Sequence, residues 1–350
     1  MILLLFLYDP LYASSHDLES DYPWSGLKDE NSPTPEVNNV MKRFFIILIL
    51  FLAVFLFACA GGNSAKKMPE HITAGTREIS KGIAIYNKGC YRGSLEYFFR
   101  AHEFFAASDQ LSGVAMSLNN IGNVYRIIGD IESAILFFDE AFAIYTDIDD
   151  SKGAVQVLSN KAAAMINGGM LEEATNVLDA AENIAQKNRI LFGPLLNNRG
   201  ILFLKKKEYR LAEEILQKVL ANADPKNFSE FATVNFALGN LMIETQRYEK
   251  AVDFFRSALT ADRLSGFYKG IADDLAAVGS AHLLQKKDEL AMNFYKRSIK
   301  IYALIGDQKK VHNIMEKLEK ISEKTGLSIS VTKHFVIKWL EGEAFESPCK

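Results

Sequence analysis

Residues 119–141 read NNIGNVYRIIGDIESAILFFDEA, and this stretch decides the fold. It holds Gly122, then Gly129 seven positions later, Ala134 twelve positions later and Phe138 sixteen positions later. Small residues at the first and third of these positions allow two helices to approach closely, and the glycine between them suits a left-handed helix end. The stretch therefore predicts two antiparallel helices joined by a tight turn.

The same pattern recurs along the chain with a spacing of 38 to 40 residues. The small residues that anchor the copies are Gly82, Gly122, Ala162, Gly200, Gly239 and Gly279. Each is followed by a small residue twelve positions later and by a large apolar residue sixteen positions later. We expect these large side chains to fill the space between neighbouring hairpins. Because one hairpin leaves an apolar face that only the next can cover, the pattern predicts a stack of hairpins.

The pattern resembles the tetratricopeptide repeat over about residues 70–330, through its small anchor, its Gly-x-aromatic turn, its alanine and its Phe-x-x-Ala ending. The resemblance implies an all-α, right-handed solenoid of about six helical hairpins over residues 72–326. A helix at about 307–325 is polar on one side, as the capping helix of such a solenoid should be.

The repeat period exceeds the usual 34 residues of this family. We expect the additional residues to lengthen the second helix of each hairpin and the turns between repeats, at Asp109–Gly113 and Asp150–Gly153. The C-terminal tail, 327–350, departs from the repeat and has no assigned role. Within it, Ser328–Val331 is predicted to be extended.

A leader-like segment precedes the repeats. Met41, Lys42 and Arg43 stand before an uninterrupted apolar run, 44–57, and Cys59 follows shortly after it. This order is typical of a secretory signal peptide, and the run is shorter than the roughly 20 residues that span a bilayer. The ending resembles the lipobox of bacterial lipoproteins, which implies cleavage before Cys59 and lipidation of its thiol. A buried core helix and an uncleaved signal anchor are the alternatives.

The N-terminal boundaries follow from this interpretation. Residues 1–40 have no positively charged start, so they are expected to be an upstream mis-start, with translation beginning at Met41. Residues 41–58 are then the signal peptide, and 59–71 the lipidated cysteine with a flexible tether. Because alanine and not aspartate follows the cysteine, the resemblance implies a lipid-anchored protein of the bacterial envelope, in the outer membrane facing the periplasm.

The composition excludes several classes of protein. The chain has 350 residues, 49% of them apolar and 24% charged, with a formal net charge of −3. It is too apolar for a disordered protein and lacks the positive excess of nucleic-acid-binding domains. We therefore expect no nucleic-acid partner.

The sequence contains no motif for catalysis or cofactor binding. GxxxxGK[ST], GxGxxG and GxSxG are all absent, and the histidines do not cluster. Asp147–Gly153 has oxygen-bearing residues at alternate positions, but it lacks the glycine and the glutamate of a calcium loop, so an N-capped turn explains it better. We expect neither metal, nor cofactor, nor enzymatic activity.

Two cysteines lie within or after the repeats, Cys90 and Cys349, and neither has a histidine or aspartate at catalytic spacing. A stack of hairpins is expected to hold them at opposite ends. A disulfide bond between them is therefore not expected unless the tail folds back.

Asparagines recur on the first helices of the hairpins, and three of them, Asn120, Asn160 and Asn198, stand two residues before an anchor. This position lies away from the packing face, on the expected concave wall, where an amide can pair with an extended peptide backbone. In tetratricopeptide families the same position often holds such an asparagine. The predicted groove residues are Asn119, Asn120, Asn123, Arg126, Asn160, Asn167, Asn197, Asn198 and Asn240, with Tyr86, Asn87 and Lys205 beside them. Solvated side chains, or side chains capping local backbone, are the alternative.

The sequence thus predicts an interaction protein. Its function is expected to be that of a membrane-anchored scaffold in the bacterial envelope, holding a protein or an extended peptide in its groove and assisting the assembly of an envelope complex. A sensor or regulator that binds a signalling peptide is the alternative.

Overall fold

The computed structural model describes residues 70–349 and, before them, only residues 43, 44, 46 and 47, which are helical. The chain divides into two compact units, 1–67 and 68–350. The predicted mis-start 1–40 lies outside the described residues, as do Cys59 and the signal peptide apart from those four positions. The tether predicted over 59–71 lies outside them as far as residue 69, and its C-terminal boundary is wrong, because a helix already begins at Glu70. Among the helices of the described residues, none combines the length and the apolar character needed to cross a bilayer.

The described part of the second unit is all-α, as predicted, and contains no strand. Twelve helices form six antiparallel hairpins, and two more helices follow them. In chain order the helices are α1 (Glu70–Asn87), α2 (Tyr91–Ala107), α3 (Leu111–Ile128), α4 (Ile131–Asp147), α5 (Ser151–Asn167), α6 (Leu171–Lys187), α7 (Gly193–Lys205), α8 (Tyr209–Asn222), α9 (Phe228–Glu244), α10 (Tyr248–Ser265), α11 (Tyr268–Leu284), α12 (Asp288–Leu304), α13 (Gln308–Thr325) and α14 (Ser330–Leu340).

Each hairpin is closed by the anchor and by the large residue sixteen positions after it. A Cβ atom on Gly122 would lie 2.7 Å from the ring of Phe138, and one on Gly82 would lie 2.4 Å from the ring of Phe98. Both phenylalanines are almost fully buried. The expectation that these side chains fill the space between hairpins is therefore wrong, because the glycine admits the ring within its own hairpin.

The space between hairpins is filled by the residue 23 positions after the anchor. The ring of Phe105 lies 2.3 Å from the position that a Cβ on Gly113 would occupy, and the ring of Tyr145 lies 2.4 Å from that of Gly153. Each of these glycines belongs to the first helix of the following repeat. A ring and a glycine therefore join successive repeats, as another ring and glycine join the helices of one repeat.

The turns within the hairpins share one backbone geometry. The residue seven positions after the anchor has positive φ in every repeat, 91° at Gly129 and between 59° and 62° at Lys207, Gln246 and Lys286. Glycine adopts this left-handed conformation without steric cost, whereas the three other residues adopt it because the packed helices on either side require it.

The turns after repeats one and two are short, so the longer turns predicted there are wrong. Leu111 already begins α3 and Ser151 already begins α5, and the additional residues extend both helices of the hairpin. The interpretation of Asp150 as an N-cap is confirmed, because its Oδ1 accepts a hydrogen bond of 2.9 Å from the backbone N–H of Gly153.

The first helices of the hairpins lie on the inner side of the stack. In repeats one to five these helices contact one another in succession, whereas successive second helices barely touch. The stack therefore curves with its first helices on the concave side.

The first and last repeats meet. A disulfide bond joins Cys90, at the start of α2, to Cys349 near the C-terminus. Close by, the ring of Tyr86 stacks on that of Phe267 with 6.2 Å between centroids, and Gly89 lies against Ile305. The prediction that the two cysteines are out of reach is wrong, because the curvature and the returning tail bring the ends of the stack together.

The C-terminal segment covers the last hairpin. The capping helix is confirmed as α13, which buries Val311, Ile314 and Leu318 and exposes its charged side. The predicted extended segment is wrong at Ser330, where α14 begins. This last helix packs on α12 and buries Val336.

Candidate functional site

The concave side carries two adjoining cavities, of about 380 Å³ and 450 Å³. They are lined by the first helices of repeats two to five, α3, α5, α7 and α9, and they share Asn167, Ile201 and Thr233. We call this depression the groove. Of the predicted site residues, the first cavity gathers Arg126, Asn160, Asn167, Asn197 and Asn198, and the second gathers Asn167, Lys205 and Asn240.

The groove asparagines form a ladder of hydrogen bonds between repeats. The Nδ2 of Asn160 donates to the Oδ1 of Asn119 over 2.9 Å, across neighbouring first helices. One repeat further on, the Nδ2 of Asn198 donates to the backbone oxygen and to the Oγ of Ser159, each over 2.9 Å. The residue two before an anchor thus donates to the residue three before the preceding anchor. These amides hold neighbouring repeats in register.

The ladder has no partner at its N-terminal end. Asn120 stands in the donor position, but the acceptor position of the first repeat is the apolar Ile79. The Nδ2 of Asn120 donates instead to the backbone oxygen of Met116, within its own helix, over 2.8 Å. This is the local bond that the alternative interpretation predicts.

Asn123 is likewise engaged by its neighbours. Its Nδ2 donates to the backbone oxygen of Asn119 over 3.1 Å, and its Oδ1 accepts a hydrogen bond of 3.3 Å from the Nε of Arg126. Asn123 therefore orients Arg126 at the end of the first cavity.

At its other end the ladder leaves an acceptor unsatisfied. Asn197 is in the acceptor position of repeat four, but the donor position of repeat five is Ala237. The side chain of Asn197 is 3% exposed, and its Oδ1 has no hydrogen-bond partner among the described residues. Because a buried acceptor without a hydrogen bond costs about 1–3 kcal/mol, this atom is suited to a donor that comes from outside the chain.

Tyr86 and Asn87 are not part of these cavities. Both lie at the end of α1, where Tyr86 stacks on Phe267. Burial raises the pKa of Tyr86, and the nearby Arg126 partly offsets this. The structure assigns this residue to the junction of the first and last repeats.

A third cavity, of about 150 Å³, adjoins the groove at Thr233 and Phe236 and was not predicted from the sequence. It contains the carboxyl groups of Asp262 and Asp274, which are 7% and 1% exposed, and that of Asp273. We call it the acidic cavity. The sequence signal that could have revealed it is Asp262 itself, which stands 23 positions after an anchor, where repeats one, two and six have aromatic residues.

The three carboxyl groups of this cavity differ in their electrostatic surroundings. Burial alone would raise the pKa of Asp273, but Lys269, Lys310 and the hydroxyl of Tyr302 together hold it below its usual range. The Nζ of Lys269 contacts the carboxylate directly, that of Lys310 lies 3.2 Å away, and the Tyr302 hydroxyl donates over 2.6 Å. Asp273 is therefore a carboxylate whose negative charge is balanced by two lysines and a hydroxyl donor.

Asp262 and Asp274 have no such partner. Burial raises the pKa of both, the charge of Asp273 raises it further, and the two carboxyl groups share a hydrogen bond. The pair therefore retains a proton more strongly than ordinary aspartates do.

The part of the chain that the structure describes has no group of three or more His, Cys, Asp or Glu side chains placed to hold a metal ion.

Comparisons with known proteins identify the repeat. Two segments, residues 114–148 and 232–263, match family models described as tetratricopeptide repeat. No curated protein matched the chain.

Solved structures resemble the chain at low sequence identity. A Rap protein in complex with Competence and Sporulation Factor is 15% identical, with a TM-score of 0.51 over 71% of this chain and 74% of that one. A tetratricopeptide repeat protein from Parabacteroides merdae is 16% identical, with a TM-score of 0.37 over 77% and 99%. YrrB, a TPR protein with an unusual peptide-binding site, is 18% identical, with a TM-score of 0.33 over 58% and 92%. The first likeness shows the solenoid fold.

Proposed function

Because this chain is a tetratricopeptide repeat protein, we propose that it binds a protein segment or peptide, in extended conformation, in the groove lined by α3, α5, α7 and α9. The observation that carries the proposal is the buried, unsatisfied Oδ1 of Asn197, a residue that lines the first cavity. A backbone N–H of an extended peptide satisfies this acceptor, which no donor of the ladder reaches.

The surroundings of Asn197 suit a peptide. The exposed Asn167 offers both a donor and an acceptor between the two cavities, and Ile201 and Phe236 offer apolar contact for alternate side chains. The guanidinium of Arg126 adds a positive charge at the α3 end of the groove. Concave surfaces of this kind are typical binding surfaces of repeat proteins.

The proposal is tested by selecting peptides on the full-length protein from a random display library and measuring the affinity of the best binder. Replacing Asn197 by Leu removes the acceptor and keeps the branching and the number of heavy atoms of the side chain. We expect an affinity loss of about tenfold, the equivalent of one buried hydrogen bond of about 1.4 kcal/mol. The matched control is Asn222→Ala, because the Nδ2 of Asn222 bonds only its own helix, on α8 outside the groove. Unchanged affinity in the leucine variant contradicts the assignment.

We further propose that the protein works as a lipid-anchored scaffold of the bacterial envelope, held through Cys59 and assisting the assembly of an envelope complex. The lipobox-like order of residues 41–59 supports the anchor. The disulfide bond of Cys90 with Cys349 supports export, because such bonds persist in oxidising compartments and are rare in the cytosol.

A regulator that binds a signalling peptide is the second candidate, and the closure of the stack favours it. Since the disulfide bond and the Tyr86–Phe267 stack hold the first and last repeats together, a short peptide fits the enclosed groove more readily than a long chain does. Affinity purification from envelope fractions distinguishes the candidates. A stoichiometric protein partner supports the scaffold, and a short secreted peptide supports the regulator.

A further inference from the structure

The acidic cavity occupies a place that an aromatic ring fills in other repeats. Phe105 and Tyr145 stand 23 positions after their anchors and pack against Gly113 and Gly153 of the next repeat. In repeat five the corresponding residue is Asp262. A Cβ on Gly270 would lie 1.8 Å from its Oδ2, so the carboxyl group takes the position of the ring edge.

A carboxyl group does not fill the volume of a ring. The remainder is the cavity of about 150 Å³, which opens toward the groove at Ser229 and Thr233. The repeat pattern thus exchanges an apolar filler for a buried acid and an adjoining space.

The lining of the cavity combines two features that attract a cation. Asp262 and Asp274 supply carboxyl oxygens, and the rings of Phe236 and Phe267 supply aromatic surface. Thr233 also lines the cavity. Because its hydroxyl donates its proton to the backbone oxygen of Ser229 over 2.7 Å, the hydroxyl oxygen can only accept a further hydrogen bond.

One buried carboxyl oxygen in the cavity receives no N–H or hydroxyl donor from the described residues. It is the Oδ2 of Asp274, and the proton shared with the carboxyl group of Asp262 is the hydrogen bond that the Asp274 carboxyl group makes. The neighbouring cations, Lys269 and Lys310, are engaged with Asp273. The pair of Asp262 and Asp274 is thus a buried acid without a cation of its own, and such pairs are costly to keep.

We propose that the acidic cavity binds a primary ammonium group, carried by a lysine side chain or by the free amino terminus of the peptide in the groove. This inference rests on the proposed function, because the cavity opens into the groove at Ser229, Thr233 and Phe236. An ammonium group has three donors for the carboxyl oxygens and a positive charge for the rings. The cavity therefore selects for a basic group at one end of the ligand.

Binding of the ammonium group is coupled to release of a proton. The titratable groups that act on the pair are the two aspartates themselves and Asp273. The charge of Asp273 is balanced by Lys269, Lys310 and Tyr302. Helix α9 contributes only side chains that do not titrate here, Ser229, Ala232, Thr233 and Phe236. Since burial raises the pKa of both aspartates in the empty cavity, the entering cation displaces the retained proton. The affinity for the ammonium group therefore rises with pH as the pair ionises.

The first experiment uses a small probe and is independent of any peptide. n-Butylammonium, and n-butanol as its neutral counterpart, are titrated into the full-length protein with isotopically labelled phenylalanine, observed by NMR. We expect n-butylammonium to shift the signals of Phe236 and Phe267 at millimolar concentration, and n-butanol to shift them much less. Asp262→Asn with Asp274→Asn should weaken n-butylammonium binding at least tenfold. The matched control is Asp253→Asn, an exposed residue of the same helix α10 as Asp262.

The folded state of the double variant is checked by thermal unfolding, where loss of two buried acids should leave the melting temperature equal or higher. Equal binding of both probes overturns the proposal. So does n-butylammonium binding that the folded double variant retains, or an absence of any shift at these two rings.

The second experiment separates this inference from the groove itself. Peptides selected on the wild-type protein are compared as three forms: unmodified, N-acetylated, and with each lysine replaced by norleucine. We expect one modification to weaken binding at least tenfold, which identifies the source of the ammonium group, and the asparagine double variant to abolish that preference. Peptides that bind equally well in all three forms contradict the acidic cavity and leave the groove standing. If no peptide binds, the groove proposal fails and the probe titration alone decides the cavity.

Discussion

Cys90 and Cys349, separated by 259 positions in the chain, are joined by a disulfide bond. The first belongs to the turn of the first hairpin and the second to the end of the returning tail, so the bond closes the stack of repeats on itself. Repeat arrays are otherwise held only by contacts between neighbours. Because of this long-range link, local unfolding of the first repeat is coupled to local unfolding of the last.

We expect loss of the disulfide bond to destabilise the second unit. Cys90→Ser with Cys349→Ser should lower the free energy of unfolding by about 2–4 kcal/mol, because the bond closes a very long loop in the unfolded chain. Urea denaturation with and without reductant measures the effect, and thiol labelling of the unfolded protein counts the free cysteines. Cys59→Ser is the matched control and should leave the stability unchanged. Two additional reactive thiols in the untreated wild type contradict the bond.

The glycine anchors should be intolerant of even one methyl group. Gly122→Ala places a Cβ 2.7 Å from the ring of Phe138, and the resulting overpacking should cost about 1–3 kcal/mol of stability. The control is Gly93→Ala in α2, because a Cβ on Gly93 would lie at an ordinary 3.5 Å from the side chain of Ile85 in α1. There the better helix propensity of alanine should stabilise by up to about 1 kcal/mol. Melting curves of the two variants that shift in the same direction would show that the anchors are not close-packed.

The asparagine ladder should contribute to stability where it crosses repeats and not where it is local. Asn160→Ala removes the donor to the Oδ1 of the buried Asn119 and should cost about 1 kcal/mol, after the gain in helix propensity is subtracted. Asn120→Ala removes only a bond to its own helix and should leave stability equal or slightly higher. Chemical denaturation of the two single variants tests the difference, and equal costs would contradict the ladder.

The pair of Asp262 and Asp274 should make stability depend on pH. Burial raises their pKa in the folded state above the ordinary aspartate value of about 4, so the folded protein binds more protons than the unfolded chain above that pH. This contribution is fully present below about pH 4 and is lost as the pH rises through neutral. We therefore expect the melting temperature of the wild type, minus that of the double variant Asp262→Asn with Asp274→Asn, to fall as the pH rises from about 5 to about 9, above the ordinary aspartate value of about 4. A constant difference contradicts the raised pKa.

Lipidation of Cys59 has a direct test in cells. Cys59→Ser should release the protein from membranes and abolish labelling by a fatty-acid analogue, because the thiol is the attachment point in the lipoprotein interpretation. Cys349→Ser, produced in parallel, is the control for general effects of cysteine loss and should remain membrane-bound and labelled. Membrane association and labelling that persist in the Cys59 variant refute the lipid anchor.

The helical hairpins could be predicted because their determinants are local and repeated. The spacing from Gly122 to Phe138 is a property of one hairpin, and six registered copies make it unmistakable. The asparagines of the groove could be placed on one helix face for the same reason. Their partners could not, because the bond from Asn160 to Asn119 depends on how far successive first helices are offset, which no single repeat specifies.

By itself, the sequence determined that the chain is an all-α stack of six hairpins, because the anchors, turn residues and rings act within about 40 residues of one another. Only the tertiary structure decided that the stack closes through Cys90 and Cys349, that Asn197 is left without a donor, and that Asp262 and Asp274 share a cavity. These features arise from small rotations between repeats that accumulate along the stack, so residues far apart in sequence, or on different helices, come together only once the curvature is known.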